Sequence, residues 1–206
     1  MSVASKLHLK DVRLAFPELY EATAFQNTGP AKFRATFLFS PEHPCVKEIK
    51  KVFETVAKAA WLSNAVEVYK GLKAADRLAL HDGATKAEYA GYTGNLYVNA
   101  SNEIRPTLVD GNRNPLVKAD GKLYSGCYVN AIVEFWAQGA VGSKQQWGRR
   151  INACLLGVQF LRDGERLAGG AVASEDDFEA IPGAEGAASV FGDESENPVP
   201  GGNVFD

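Results

Sequence analysis

Strand-like segments recurring around one helical stretch predict a mainly β (α+β) domain. The expected form is a five-stranded barrel with an inserted helix, followed by a disordered acidic tail. Three observations carry this. Apolar and polar residues alternate with period two in KFRATFLFS and SGCYVNAIVEFWAQ. A single stretch between them repeats its apolar residues at helical spacing. Beyond Gly170 the chain turns to Ala, Gly, Ser, Pro and acid.

In KFRATFLFS, Phe33, Ala35, Phe37 and Phe39 fall on one face, and Lys32, Arg34, Thr36 and Leu38 on the other. An earlier strand is expected over His8 to Phe16, stopping at Pro17. SPEHPCVKEIKKVFETVAKAAWLS reads as a helix, because Pro41 and Pro44 bracket its start and Val46, Ile49, Val52, Phe53, Val56 and Ala60 recur on one side. Lys47, Lys50, Lys51 and Lys58 then form a solvated outer face. LYVNA, IRPTLVD and SGCYVNAIVEFWAQ are further strands, with NRNPLVKADGKLY supplying Asn-Pro and Asp-Gly turn chemistry. After the loop GAVGSKQQWG, RRINACLLGVQFLRDGERL gives another strand, with a turn at Asp163-Gly164. Residues 1–170 are therefore read as the folded domain. Residues 171–206 are too poor in apolar surface to offset their ordering entropy, and are read as a flexible tail. Within the barrel class, the OB-fold leads among folds that bind single strands.

Composition narrows the function. All 22 Lys+Arg precede residue 167, against 16 acids up to residue 170, while the last 36 residues hold nine acids and no base. A body of formal charge +6 joined to an end of −9 points to a nucleic-acid partner. No apolar run approaches the roughly 18 residues of a membrane span, and the N-terminus has no secretory h-region. Cys45, Cys127 and Cys154 are widely spaced and lie in apolar settings, which suits reduced thiols in a cytoplasm. GxxxxGK[ST], GxGxxG, HExxH and GxSxG are absent, and His8, His43 and His81 lie in different elements, so no enzyme, cofactor or metal is implied.

Single strands are held by aromatics that stack on bases and by cations that follow the phosphates. In SKQQWGRR, Trp147 lies between Lys144 and the pair Arg149-Arg150, in a polar stretch with no apolar periodicity. It is either a stacking residue or a tryptophan capping the barrel end. Alternation puts Tyr128, Asn130, Ile132, Glu134 and Trp136 opposite the core residues Val129, Ala131, Val133 and Phe135. Tyr128 and Trp136 are thus stacking candidates or sheet-edge core. Tyr97 and Asn99 oppose Leu96 and Val98 in the same way. Lys32 and Arg34, with Arg105 and Arg113 beside a proposed strand, complete the candidate contacts.

At SGCYVNAIVEFWAQ and INACLLGVQFLRDGERLAGG, together with KFRATFLF, GNLYVNAS and RPTLVDGNRNPL, the sequence resembles a family of bacteriophage single-stranded-DNA-binding proteins. The resemblance covers roughly residues 7 to 170. It implies an OB-fold, sequence-nonspecific coating of single strands in phage replication, recombination and repair inside an infected bacterium, no catalytic residues, and a homodimer. The acidic end, with Phe191, Asp193, Glu194, Glu196, Phe205 and Asp206, resembles tails that dock replication proteins and compete with DNA for the cleft. Pro-Val-Pro-Gly-Gly interrupts its charges. Two other classes remain open on residues alone: a nucleic-acid enzyme such as a metal-dependent nuclease, and an interaction module whose acidic tail mimics DNA.

Overall fold

A computed structural model describes residues 4–24, 29–142 and 148–167. Its strands are β1 (Ala4–Thr23), β2 (Lys32–Phe39), β3 (Leu80–Asp82), β4 (Leu96–Asn102), β5 (Thr107–Val109), β6 (Tyr128–Gln138) and β7 (Arg150–Arg162). The helices α1 (Pro44–Trp61) and α2 (Ala65–Ala74) lie between β2 and β3. The chain divides into two units, Met1–Gly169, which holds every described residue, and Gly170–Asp206. The tail positions named above, and Lys144 and Trp147, lie outside the described residues.

β1 decides how the sheet closes. It pairs antiparallel with β2 along one edge and with β6 along the other. β2 pairs with β4, β6 with β7, and β4 meets β7 in parallel through Ser101 and Cys154. The circuit β1–β2–β4–β7–β6 is a five-stranded closed barrel, as the alternation predicts, with the strand order of an OB-fold. β3 and β5 are three-residue additions to its edges.

Two bends let β1 serve both neighbours. Its register shifts between Leu9 and Val12 against β6, and between Ala15 and Glu18 against β2. Asp11 (φ 53) and Phe16 (φ 45) take the left-handed conformation at these points, and such bulges sharpen strand coiling. The expected stop at Pro17 is therefore corrected. Pro17 lies in the gap of the register, where its missing N–H costs no ladder bond, and the strand continues to Thr23.

α1 forms where its periodicity predicts. Pro44 occupies the first turn, and the His43 side chain accepts the Cys45 backbone N–H at 3.3 Å. Val46, Ile49, Phe53, Val56 and Ala60 are buried, and Phe53 meets Phe135 of β6 edge-on at 5.1 Å. The four lysines of its outer face are exposed. Phe37, Phe39, Val129, Val133, Phe135, Ile151 and Leu155 fill the barrel beneath it. α2 is an addition to the single expected helix; its stripe of Ala65, Val68 and Leu72 packs on the same core. Among the described residues no helix is long and apolar enough to cross a membrane.

All three cysteines are free, and burial pushes each thiol up, Cys127 to about 11. Alkylation at about pH 8, near an ordinary thiol pKa, should therefore leave Cys127 unmodified in the folded protein and label it in denaturant. Mass spectrometry of the Cys127 peptide reads the outcome. Rapid labelling under native conditions would contradict its burial.

Candidate nucleic-acid interface

In barrels of this strand order, oligonucleotides bind across the second and third strands and the flanking loops. The equivalents here are β2, β4, and the β1–β2 and β6–β7 connections. Two grooves run along this face and share Asn99 and Ser101 of β4. One, of about 580 Å³, is bounded by Lys32, Trp136, Gln138, Arg150 and Asn152. The other, of about 760 Å³, is bounded by Phe16, Arg34, Lys86 and Tyr89. Alternation brings Trp136 and Arg150 to one place because they stand on adjacent strands, with Trp136 paired to Asn152 and Gln138 to Arg150.

The second groove carries an aromatic pair that the sequence reading missed. Phe16 and Tyr89 are 49% and 44% exposed, and their rings meet edge-on at 5.2 Å. The bulge at Phe16 turns its side chain outward from the strand. Tyr89 is held by the segment after β3, which folds over the outer face of the barrel. Tyr92 in this segment is fully buried with Ala15, Leu38 and Tyr97, forming a small second core. Gly83 starts the segment where only glycine fits, since a Cβ there would stand 2.0 Å from the Tyr92 carbonyl oxygen. The sequence signal was slight: a phenylalanine before a proline, and EYAGY in a glycine-bearing stretch.

The same segment corrects the reading of Tyr97 as an exposed ring. Tyr97 faces outward as alternation requires, yet it is 4% exposed, stacked with His81 at 5.0 Å and crossed by the Lys86 ammonium at 5.1 Å. Tyr128 is corrected likewise. The Arg162 guanidinium lies 4.0 Å from its ring centroid and that of Arg13 5.9 Å, so cations occupy the surface a base would need. Arg162 is itself paired with Asp11.

The cations differ in availability. Arg34 donates to Glu18 at 2.9 Å and to the Thr23 carbonyl at 2.7 Å. The Thr23 hydroxyl, and then Arg34, hold the Glu18 carboxyl below its ordinary range. Lys32 reaches Glu103 at 3.4 Å, a half-exposed pair of little net energy that a phosphate can replace. Arg150 is exposed, whereas the Arg149 Nε is buried and has no partner among the described residues. Arg105 is exposed on the connection after β4. Arg113 stands apart, in a hollow with His8 and Lys10 against β6 and β7.

The β6–β7 connection is fastened at both ends. Trp61 Nε1 donates to the Gly139 carbonyl at 2.9 Å, and the Val141 N–H donates to that of Ala60 at 3.0 Å. At the far end, the Ile151 N–H donates to the Arg77 carbonyl at 3.1 Å. Among the described residues no three His, Cys, Asp or Glu side chains gather as a metal would require. The face offers stacking, hydrogen bonding and positive charge.

Known proteins share this fold. The solved single-stranded DNA-binding protein of bacteriophage Enc34 in complex with ssDNA superposes with a TM-score of 0.64 at 22% identity, covering 79% of this chain and 89% of that one. A C-terminal truncation of the same phage protein gives a TM-score of 0.61 over 78% of this chain and 88% of that one, also at 22% identity. Protein p50 of Acyrthosiphon pisum secondary endosymbiont phage 1 is 43% identical over 183 residues, covering 87% of this chain and 96% of its own. The family described as Enterobacter phage Enc34, ssDNA-binding protein, matches residues 5–188. The chain belongs to the family of the Enterobacter phage Enc34 ssDNA-binding protein.

Proposed function

We propose that the chain binds single-stranded DNA without requiring a defined sequence, coating it during phage replication, recombination and repair in the cytoplasm of an infected host. One observation carries this reading: the β2–β4 face joins the exposed rings of Phe16 and Tyr89 at one end and the half-buried Trp136 at the other to Lys32, Lys86 and Arg150 along its length. Bases stack on any aromatic face, and cations follow any backbone, so recognition tolerates sequence. The chain's own residues bind and order the strand; no bond is made or broken.

Titrating oligo-dT, duplex DNA and RNA across a salt series tests this. Oligo-dT should bind more tightly than duplex, with affinity falling linearly on a log–log salt plot. Preference for duplex, or no binding to single strands, would contradict it. Arg150→Ala should reduce the slope by about 0.7, the value for one phosphate contact on a single strand. An unchanged slope would remove Arg150 from the interface.

Residues 1–170 are assigned the binding role. Residues 171–206 are assigned the docking of replication proteins, through acids and isolated phenylalanines such as Phe191 and Phe205. Truncation after Gly170 should then abolish recruitment of a phage polymerase or helicase while oligo-dT binding persists. The homodimer implied by family resemblance is read by light scattering of the full chain.

A further inference from the structure

Asn99 stands where the two grooves meet, and its amide is held in one orientation. The Thr36 hydroxyl, on the facing residue of β2, donates to Asn99 Oδ1 at 2.7 Å. Thr36 is 7% exposed. Its other neighbour is the Tyr92 phenol, fully buried, with no completed hydrogen bond among the described residues. Burial pushes this phenol up. A hydroxyl has one proton. Thr36 gives that proton to Asn99 Oδ1. The Asn99 oxygen is thereby engaged inward, and the Nδ2 amide is left to the groove. Among the described residues nothing accepts from that Nδ2.

Asparagine commonly reads adenine with both ends of its amide, the oxygen accepting from the exocyclic amine. Here the oxygen is taken, so the groove meets a donor alone. Where the amide N–H meets position 4 of a pyrimidine or position 6 of a purine, an exocyclic amine there leaves both donors without an acceptor, whereas a keto oxygen there takes the bond. From this we propose that Asn99, oriented by Thr36, biases the interface toward bases with a keto oxygen at C4 or C6 (thymine, uracil, guanine) over those with an amine at that position (adenine, cytosine). The bias rests on the single-strand reading and adds one base-edge contact to otherwise sequence-tolerant stacking. Asn99 is the specificity-determining residue, and Thr36 positions it.

The test compares two pyrimidines that stack alike and both lack the 5-methyl group. The full chain is titrated with oligo-deoxyuridine and oligo-deoxycytidine at neutral pH, as wild type and as Asn99→Ala, Asn99→Asp and Thr36→Val. The wild type should favour deoxyuridine by about three- to tenfold, the size of one net hydrogen bond. Asn99→Ala should bring the ratio towards one. Asn99→Asp, presenting acceptors only, should invert it, though added negative charge weakens both. Thr36→Val should also erase the preference, with Asn99 still present but free to turn over. Because Asn99 is exposed, its variants keep the proposal falsifiable if Thr36→Val fails to fold. A ratio that no Asn99 variant alters, or equal weakening of both oligomers by Asn99→Ala, would overturn the inference and leave general binding standing. No binding to either oligomer by wild type would overturn the single-strand reading itself, and the inference with it.

Discussion

Trp61→Ala is expected to destabilise the domain by about 3–5 kcal/mol, the range for removing a large buried aromatic. Trp61 is 1% exposed at the end of α1 and lies in the main core. It also donates the bond that fixes Gly139 at the start of the β6–β7 connection. Its removal leaves both a cavity and a buried carbonyl without a partner. Urea unfolding should show a lower midpoint at unchanged slope, the signature of lost stability without altered compactness. Trp61→Phe separates the two effects, since it keeps most of the volume and loses only the donor. It should cost about 1–3 kcal/mol, the penalty for an unsatisfied buried group. The connection it fastens carries Arg149 and leads into Arg150, so this variant should also bind oligo-dT less tightly while remaining folded. A Trp61→Ala protein within about 1 kcal/mol of wild type, well below the cavity range, would mean that α1 does not hold the connection.

The double variant Phe16→Ala, Tyr89→Ala should weaken oligo-dT binding by about 1–3 kcal/mol, the value of one stacked base. The two rings form one edge-to-face pair, so they present one platform. Phe16 holds φ 45, which a bulky residue adopts only where surrounding structure enforces it. The enforcing contacts are the β1 bulge and Tyr92 beneath, at 6.1 Å between rings. Because both side chains are half exposed, their loss should change the melting temperature far less than the affinity. Full affinity with a large fall in melting temperature would make the pair structural.

What the sequence showed depended on how local each cause was. β2, α1, β6 and β7 repeat their apolar residues at a single period over eight or more positions, so their faces were legible. α2 was not, because Gly71 and a narrow stripe of Ala65, Val68 and Leu72 weaken a ten-residue pattern. The three-residue β3 carries no period at all, whereas β5 lies within the expected strand IRPTLVD. Pro17 misled because its effect depends on register, which is set by the partner strand. At the interface, Trp136, Arg150 and Lys32 fall on one groove as alternation allows. Tyr97 and Tyr128 obey the same alternation, but partners distant in sequence cover them: the segment carrying Tyr92, and Arg162 from β7. The Phe16–Tyr89 pair joins residues far apart in the chain and exists only once that segment has folded over the barrel.

The central claim is that a single strand crosses the β2–β4 face between Phe16–Tyr89 and Trp136. Photocrosslinking the full chain to oligo-dT bearing 5-iodouracil, with adducts mapped by mass spectrometry, tests it most directly. Adducts at Phe16, Tyr89 and Trp136 are the predicted result. Adducts confined to Tyr69 of α2, or to Tyr128 under Arg162 and Tyr124 under Arg166 (4.4 Å from its ring centroid), would place the strand elsewhere and contradict the account.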